Sequence, residues 1–195
     1  MTDRRVSKRL KKLERYGLFL LLLLLICSFI ADRNRADETA RPWYVKAYVQ
    51  KYRYLATELN QETGIPLPII YAVAGLESNW GRSELARQAN NHFGLKVKEG
   101  WRGHQYCKDT QEFSQSTGFR EEWACFRKYP LIRRSYLDFG AFLAGDDRYA
   151  HLFLLPESDV VGWAEGLQAA GYATDPEYAR KLRGIIWRYR LARPE

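Results

Sequence analysis

A chain of 195 residues with 46% hydrophobic and 14% aromatic residues can bury one core of ordinary size, which excludes both wholesale disorder and two full domains. Its 31 Lys/Arg outnumber its 23 Asp/Glu, for a net charge of +8. Residues 1–35 hold nine Lys/Arg against three Asp/Glu and the remainder 22 against 20, so the basicity belongs to the N-terminus and the rest has no electrostatic case for gripping a nucleic acid.

Residues 1–16 form a basic segment, with Arg4, Arg5, Lys8, Arg9, Lys11, Lys12 and Arg15 against Asp3 and Glu14. Gly17 to Ala31 carry no charge, and seven leucines between Leu18 and Leu25 are interrupted only by Phe19. A basic stretch followed by an apolar one reads as an export signal whose positive end stays in the cytoplasm. As a helix this run reaches about 22 Å, short of the ~30 Å hydrocarbon core, so length fits a signal-peptide core or a short anchor. Phe29 spoils a small-x-small cleavage site ending at Ala31, and Ile26 spoils a lipidation site at Cys27. The expectation is therefore an uncleaved membrane anchor at 17–31 and a polar tether at 32–42. A domain at 43–195 would then be held outside the cytoplasm; the alternative is secretion after signal-peptide cleavage.

From Trp43 to Leu59, Val45, Tyr48, Val49, Tyr52, Leu55, Ala56 and Leu59 recur at three- and four-residue steps, which predicts an amphipathic helix. Gly64 ends it, and Pro66 and Pro68 open a second helix from about Pro68 to Asn79. Ser83 to Gln88 reads as a short helical turn and Ala89 to Gly94 as a loop. His104–Phe113 and Arg120–Tyr129, aromatic-rich runs around a turn-prone Ser114–Gly118, predict a β-hairpin. If Cys107 faces Cys125 the turn centres on Ser116, so the register is self-consistent, and an oxidising compartment would let the two pair. Ile132–Leu143, Tyr149–Leu155 and Val160–Ala170 read as helices. Asp175 is the expected N-cap, with Pro176 at the first helical position, of a last helix reaching about Leu191. The fold class is mainly α with one inserted hairpin.

Glu77 continues the apolar stripe of Ile70 and Val73, with Leu76 beside it and Trp80 beyond. A carboxyl on the inward face of a helix end is costly unless it is paired or stays protonated, and desolvation raises its pKa. That is what protonation of a glycosidic oxygen requires, although a Glu bridging to the next loop fits the same spacing. Asn90, Asn91 and Phe93 follow, and asparagine side chains suit the hydroxyl and acetamido groups of sugars. Paired asparagines also close loops on themselves.

Three segments together carry a resemblance: Leu76-Glu77-Ser78-Asn79-Trp80-Gly81, Asn90-Asn91-His92-Phe93-Gly94-Leu95-Lys96, and Gly171-Tyr172-Ala173-Thr174-Asp175-Pro176-Glu177-Tyr178-Ala179. In this order the chain resembles the bacterial endo-β-N-acetylglucosaminidases, the glucosaminidase-domain autolysins of glycoside hydrolase family 73, from about Ile65 to Tyr189. The resemblance implies a lysozyme-like helical lobe, a small β-lobe and a cleft for a peptidoglycan glycan strand. It implies Glu77 as general acid and, through Thr110-Gln111-Glu112-Phe113, Glu112 as the second carboxylate, with Glu122 in reserve on the same hairpin face. Tyr172 is the expected tyrosine at the scissile bond, and Trp80, Asn90, Asn91, Phe93 and Tyr178 the candidate substrate-binding residues, although core packing is the commoner use of aromatics placed like Trp80 and Phe93. Carboxylates about 6.5–9.5 Å apart would imply inversion, and a remote second carboxylate would leave the substrate's acetamido group as nucleophile. No cofactor is implied, and the three scattered histidines suggest no metal site. Two other readings remain: a lytic transglycosylase, which needs only the acid, and a non-catalytic, membrane-anchored glycan-binding domain.

Overall fold

The structure, a computed structural model, describes Leu24, residues 26–28, 41–114, 116 and 118–192. The expected basic segment, and all but four residues of the expected anchor, lie outside the described residues, as does most of the tether. Among the described residues no helix is long and apolar enough to cross a membrane. The chain divides into Met1–Pro42 and Trp43–Glu195, and the second unit carries everything that follows.

Helix α1 (Trp43–Thr63) buries the seven residues of its sequence stripe, from Val45 to Leu59. It continues one turn past Leu59 because nothing before Gly64 breaks it; Gly64, at φ +75°, returns its N–H to the Asn60 carbonyl at 2.7 Å. Helix α2 (Leu67–Ser78) starts after Pro66, with Pro68 in its first turn, where a missing N–H costs nothing. It buries Ile69, Ile70, Tyr71, Ala72, Val73, Ala74 and Gly75 in succession and is thus the central strut of the lobe. Helix α3 (Glu84–Ala89) is capped by the Ser83 hydroxyl, which accepts the Ala86 N–H at 3.1 Å.

Strands β1 (His104–Ser114) and β2 (Gly118–Lys128) form one antiparallel hairpin, with Cys107 opposite Cys125 and Ser114 opposite Gly118. A disulfide joins the two cysteines. The base of the hairpin rests through Ala124, Phe126 and Tyr106 on Leu85 and Ala89 of α3. Helices α4 (Ile132–Ala144), α5 (Val160–Ala169) and α6 (Tyr178–Arg188) close the helical lobe, with a 3-10 helix at Asp147–Leu154 between α4 and α5. Phe139, Tyr136, Tyr149 and Trp163 fill its centre, each fully buried and each stabilising by roughly 1.5–3 kcal/mol on the scale of large apolar side chains.

Two local expectations shift. The segment around Tyr149 is 3-10 rather than α, and begins where the Asp146 carboxylate accepts the Arg148 N–H at 3.1 Å. The last helix starts at Tyr178, because Asp175 folds onto the Glu177 N–H at 2.9 Å and makes a side-chain turn instead of an N-cap.

Candidate active site

Glu77 occupies the last turn of α2, where the Ile70–Val73 stripe emerges from the core into the wall of a cleft of about 590 Å³. The helix stops at once: Asn79, Trp80 and Gly81 are all left-handed, at φ 47°, 56° and 74°, and swing the chain back so that the indole of Trp80 lies on Gly75. The Tyr178 hydroxyl donates to Glu77 Oε1 at 2.9 Å, and no cation pairs with this carboxyl among the described residues. Burial pushes Glu77 up to about 7; the Tyr178 hydrogen bond opposes that rise, and the charges of Glu112 and Asp175 add to it. A half-buried carboxyl that faces open space and keeps its proton up to about neutrality has the chemistry to donate one.

Glu112 enters the same cleft from β1 and is held at both oxygens. Lys96 Nζ lies 2.5 Å from Oε1, and the Thr174 hydroxyl donates to Oε2 at 3.0 Å. Thr174 is itself fixed, accepting the Phe113 N–H at 3.2 Å, so the hairpin is tied across the cleft to the loop before α6. Next to Thr174, burial draws the Asp175 carboxyl upward, but the Lys181 ammonium and the Glu177 N–H together hold it below the usual range. The cleft therefore sets one proton-holding carboxyl against one ion-paired carboxylate, the division of labour that acid–base chemistry on a sugar bond needs.

The other expected site residues are placed unevenly. Tyr172 lines the cleft, but its hydroxyl donates to the Phe93 carbonyl at 2.8 Å, and the phenol that touches Glu77 is that of Tyr178. The two rings stack at 5.7 Å, so Tyr172 supports Tyr178 and fixes the backbone entering Gly94. Phe93 reaches the cleft floor while its ring stacks on Phe139 at 4.2 Å.

Three expectations are corrected. Trp80 is 7% exposed, packs edge-on against Tyr48 and Tyr189, and does not line the cleft. Asn91 is fully buried: its amide donates to the Leu95 and Arg127 carbonyls at 3.0 and 2.8 Å, and its oxygen accepts the Phe93 and Leu95 N–H groups. Asn90 ends α3 in a left-handed conformation and donates to the Tyr129 carbonyl at 2.9 Å. Both asparagines satisfy loop backbone instead of ligand. The reserve Glu122 shares the face of Glu112 but is exposed, 3.3 Å from Arg120, and outside the cleft lining. His92 is buried against the Tyr48 hydroxyl, and burial, then Lys51, push it down to about 4, so it stays neutral and structural. Among the described residues no cluster of His, Cys, Asp and Glu is placed to hold a metal ion.

Sequence reasoning assigned no role to Lys96, Thr174 or Gly94. Lys96 and Thr174 sit inside the motif segments, yet nothing in their spacing says that they meet on Glu112. Gly94 has φ +65°, and a Cβ there would lie 2.7 Å from Glu77 Oε2. Gly94→Ala is expected to cost about 1–2 kcal/mol from the left-handed backbone, and to lower kcat/KM by roughly tenfold or more by displacing the acid. Gly100→Ala is the control, since Gly100 has φ +86° with nothing within 4 Å, and it should cost stability alone. Urea midpoints and cell-wall turnover of the two variants separate the effects; equal activity in both would refute the role of Gly94.

A family model described as mannosyl-glycoprotein endo-beta-N-acetylglucosaminidase matches residues 53–191. Peptidoglycan hydrolase FlgJ of Escherichia coli is 33% identical over 158 residues, covering 79% of this chain and 49% of that protein. Exo-glucosaminidase LytG of Bacillus subtilis is 35% identical over 136 residues, 63% of this chain and 44% of that one. The crystallised catalytic domain of the autolysin Auto from Listeria monocytogenes superposes with a TM-score of 0.61 at 32% identity, over 82% of this chain and 94% of that domain. The chain spans about half the length of these curated relatives.

Proposed function

We propose that this chain, which belongs to the bacterial glucosaminidase family, is a peptidoglycan hydrolase that cleaves the β-1,4 bond between N-acetylglucosamine and N-acetylmuramic acid. The observation that carries this reading is the pair of unlike carboxyls in one cleft: Glu77, raised to about 7, and Glu112, held by Lys96 and Thr174. Glu77 donates its proton to the glycosidic oxygen as the bond to the anomeric carbon breaks. Glu112 takes a proton from the water that attacks that carbon, and the pair exchanges roles back through solvent. Two of the roughly four lone-pair sites of a carboxylate are taken by Lys96 and Thr174, which leaves others for water. Tyr178 steadies Glu77, and Tyr172 steadies the Phe93–Gly94 backbone below it.

The catalytic domain is assigned to 43–195. It acts outside the cytoplasm, held by an anchor at 17–31. The Cys107–Cys125 disulfide supports that compartment, since such bonds persist where thiols are not kept reduced.

Digestion of purified peptidoglycan followed by mass spectrometry of the fragments tests the activity. Reducing N-acetylglucosamine ends are expected. Anhydro-muramic ends would instead make the chain a lytic transglycosylase, and binding without release of fragments would make it a glycan-binding domain.

A further inference from the structure

Between the base of the hairpin and α4 lies a second, smaller pocket of about 420 Å³ that the hydrolytic step does not use. Its walls are apolar. Trp101 and Tyr129 meet edge to face at 5.8 Å, the indole N–H donates to the His104 carbonyl at 3.1 Å, and Leu137 completes the wall from α4. Its rim is cationic: Lys128 and Arg134 are exposed, and neither makes an ion pair among the described residues. The one carboxylate in the lining, Asp138, is already neutralised, accepting from Arg127 at 2.8 Å and from the Tyr129 hydroxyl at 2.5 Å. It therefore offers little repulsion to an incoming anion.

The pocket also adjoins the cleft. The Arg127 guanidinium lies 4.9 Å from the Trp101 ring centre on the pocket side and 5.8 Å from the Phe142 ring centre on the cleft side. One stacked side chain separates the two cavities, and Lys98 stands over the other part of Phe142 at 4.7 Å. A glycan lying in the cleft would thus pass within a few side chains of an apolar hollow edged with unpaired positive charge. In a peptide-bearing strand the lactyl carboxyl of N-acetylmuramic acid is tied up in an amide, so the sugars themselves carry no charge to match that rim. The peptide branch on the lactyl group of N-acetylmuramic acid does: it combines alanine methyl groups with free carboxylates.

We propose that this pocket binds the acidic stem peptide of the glycan, with Lys128 and Arg134 as charge partners of its carboxylates and the Trp101–Tyr129–Leu137 walls as the seat of its apolar side chains. The inference rests on the hydrolase reading and names the substrate form that the enzyme prefers, peptide-bearing strands over bare ones. Two charge-assisted contacts at this exposed rim are together worth a roughly tenfold difference in kcat/KM between the two forms.

Soluble glycan strands carrying their peptides, and the same strands stripped by an amidase, provide the test; stripping leaves a short lactyl carboxylate on each N-acetylmuramic acid but removes the peptide's apolar side chains and its longer-reaching carboxylates, and wild type and the Lys128→Glu/Arg134→Glu double variant are compared on both. Wild type is expected to favour peptide-bearing strands roughly tenfold. The double variant should lose that preference and still turn over stripped strands at the wild-type rate, which also shows that it is folded. Three results overturn the inference: no preference in the wild type, a preference untouched by the double variant, or an equal loss on both strands, as an extra sugar subsite would give. If wild type cleaves neither strand, the hydrolase reading itself falls and takes the inference with it, an outcome distinguishable from the other three.

Discussion

Glu77→Gln is expected to abolish clearing of cell-wall substrate, lowering kcat/KM by about a thousandfold, or roughly 4 kcal/mol of transition-state stabilisation, while the fold survives. The size follows from the chemistry: a glycosidic oxygen is a poor leaving group until it is protonated, and the amide has no acidic proton to give. Survival of the fold follows from the contacts, because the neutral amide is nearly the shape of the protonated acid and its oxygen can still accept from the Tyr178 hydroxyl. Full activity in this variant would remove the acid assignment, and loss of the native circular dichroism would make the variant uninformative about chemistry, so both are measured.

The same carboxyl sets two pH dependences, and both run downward as pH rises through its pKa. Catalysis needs the protonated form, so kcat/KM of the wild type should fall on the alkaline side of about pH 7. Tyr178→Phe removes a hydrogen bond that favours the charged form, which moves that limb upward, whereas Glu112→Gln removes a repelling charge and moves it downward. For stability, the folded pKa of about 7 stands above the ordinary 4.5, so the folded chain keeps a proton that the unfolded chain releases between those values. The benefit of burying a neutral Glu77 is complete below about pH 4.5 and is lost as pH rises through about 7. Glutamine does not titrate. The inactive variant should therefore be the more stable protein above neutrality, by up to about 3 kcal/mol, and gain little at pH 4.5. A pH-independent difference in melting temperature would contradict the burial of this acid.

Much of this arrangement is legible in the sequence. The three-and-four spacing of α1, the Pro66–Pro68 start of α2 and the pairing of Cys107 with Cys125 are local or near-local facts, and the structure repeats them. Strand parity then decided that Glu112 lies on the face opposite Glu121 and the cysteines. The misreadings share a cause. Asn91 looks ready for a ligand in composition, but a buried loop must satisfy its own N–H and C=O groups first, and Asn91 is the residue that does so. Trp80 looks like a sugar platform until three left-handed residues turn it onto a glycine five positions earlier. Whether Tyr172 or Tyr178 reaches the acid depends on where α6 begins, and the Asp175 turn that delays it leaves no periodic trace. Lys96 and Thr174 could not be read at all, because their meeting on Glu112 joins three segments far apart in sequence.

That meeting yields the second large effect. Glu112→Gln should lower kcat/KM by about a hundredfold, since the amide can neither take a proton from water nor pair with Lys96. Lys96→Met and Thr174→Val each free one oxygen of Glu112, and each should cost on the order of tenfold, because a carboxylate released from one of two fixed contacts samples positions from which water is not activated. The discriminating measurement is the double variant. If Lys96 and Thr174 act through Glu112, their substitution in the Glu112→Gln background costs almost nothing further, whereas direct contact with the glycan or general loosening of the hairpin costs as much there as in the wild type. Thr174→Ser, which keeps the hydroxyl, should restore the rate and Thr174→Val should not. With kcat falling more than KM rises, the lesion lies in the attack of water; a rise in KM alone would mean that these residues serve binding, and the role given to Glu112 would pass from the base to the wall of the cleft.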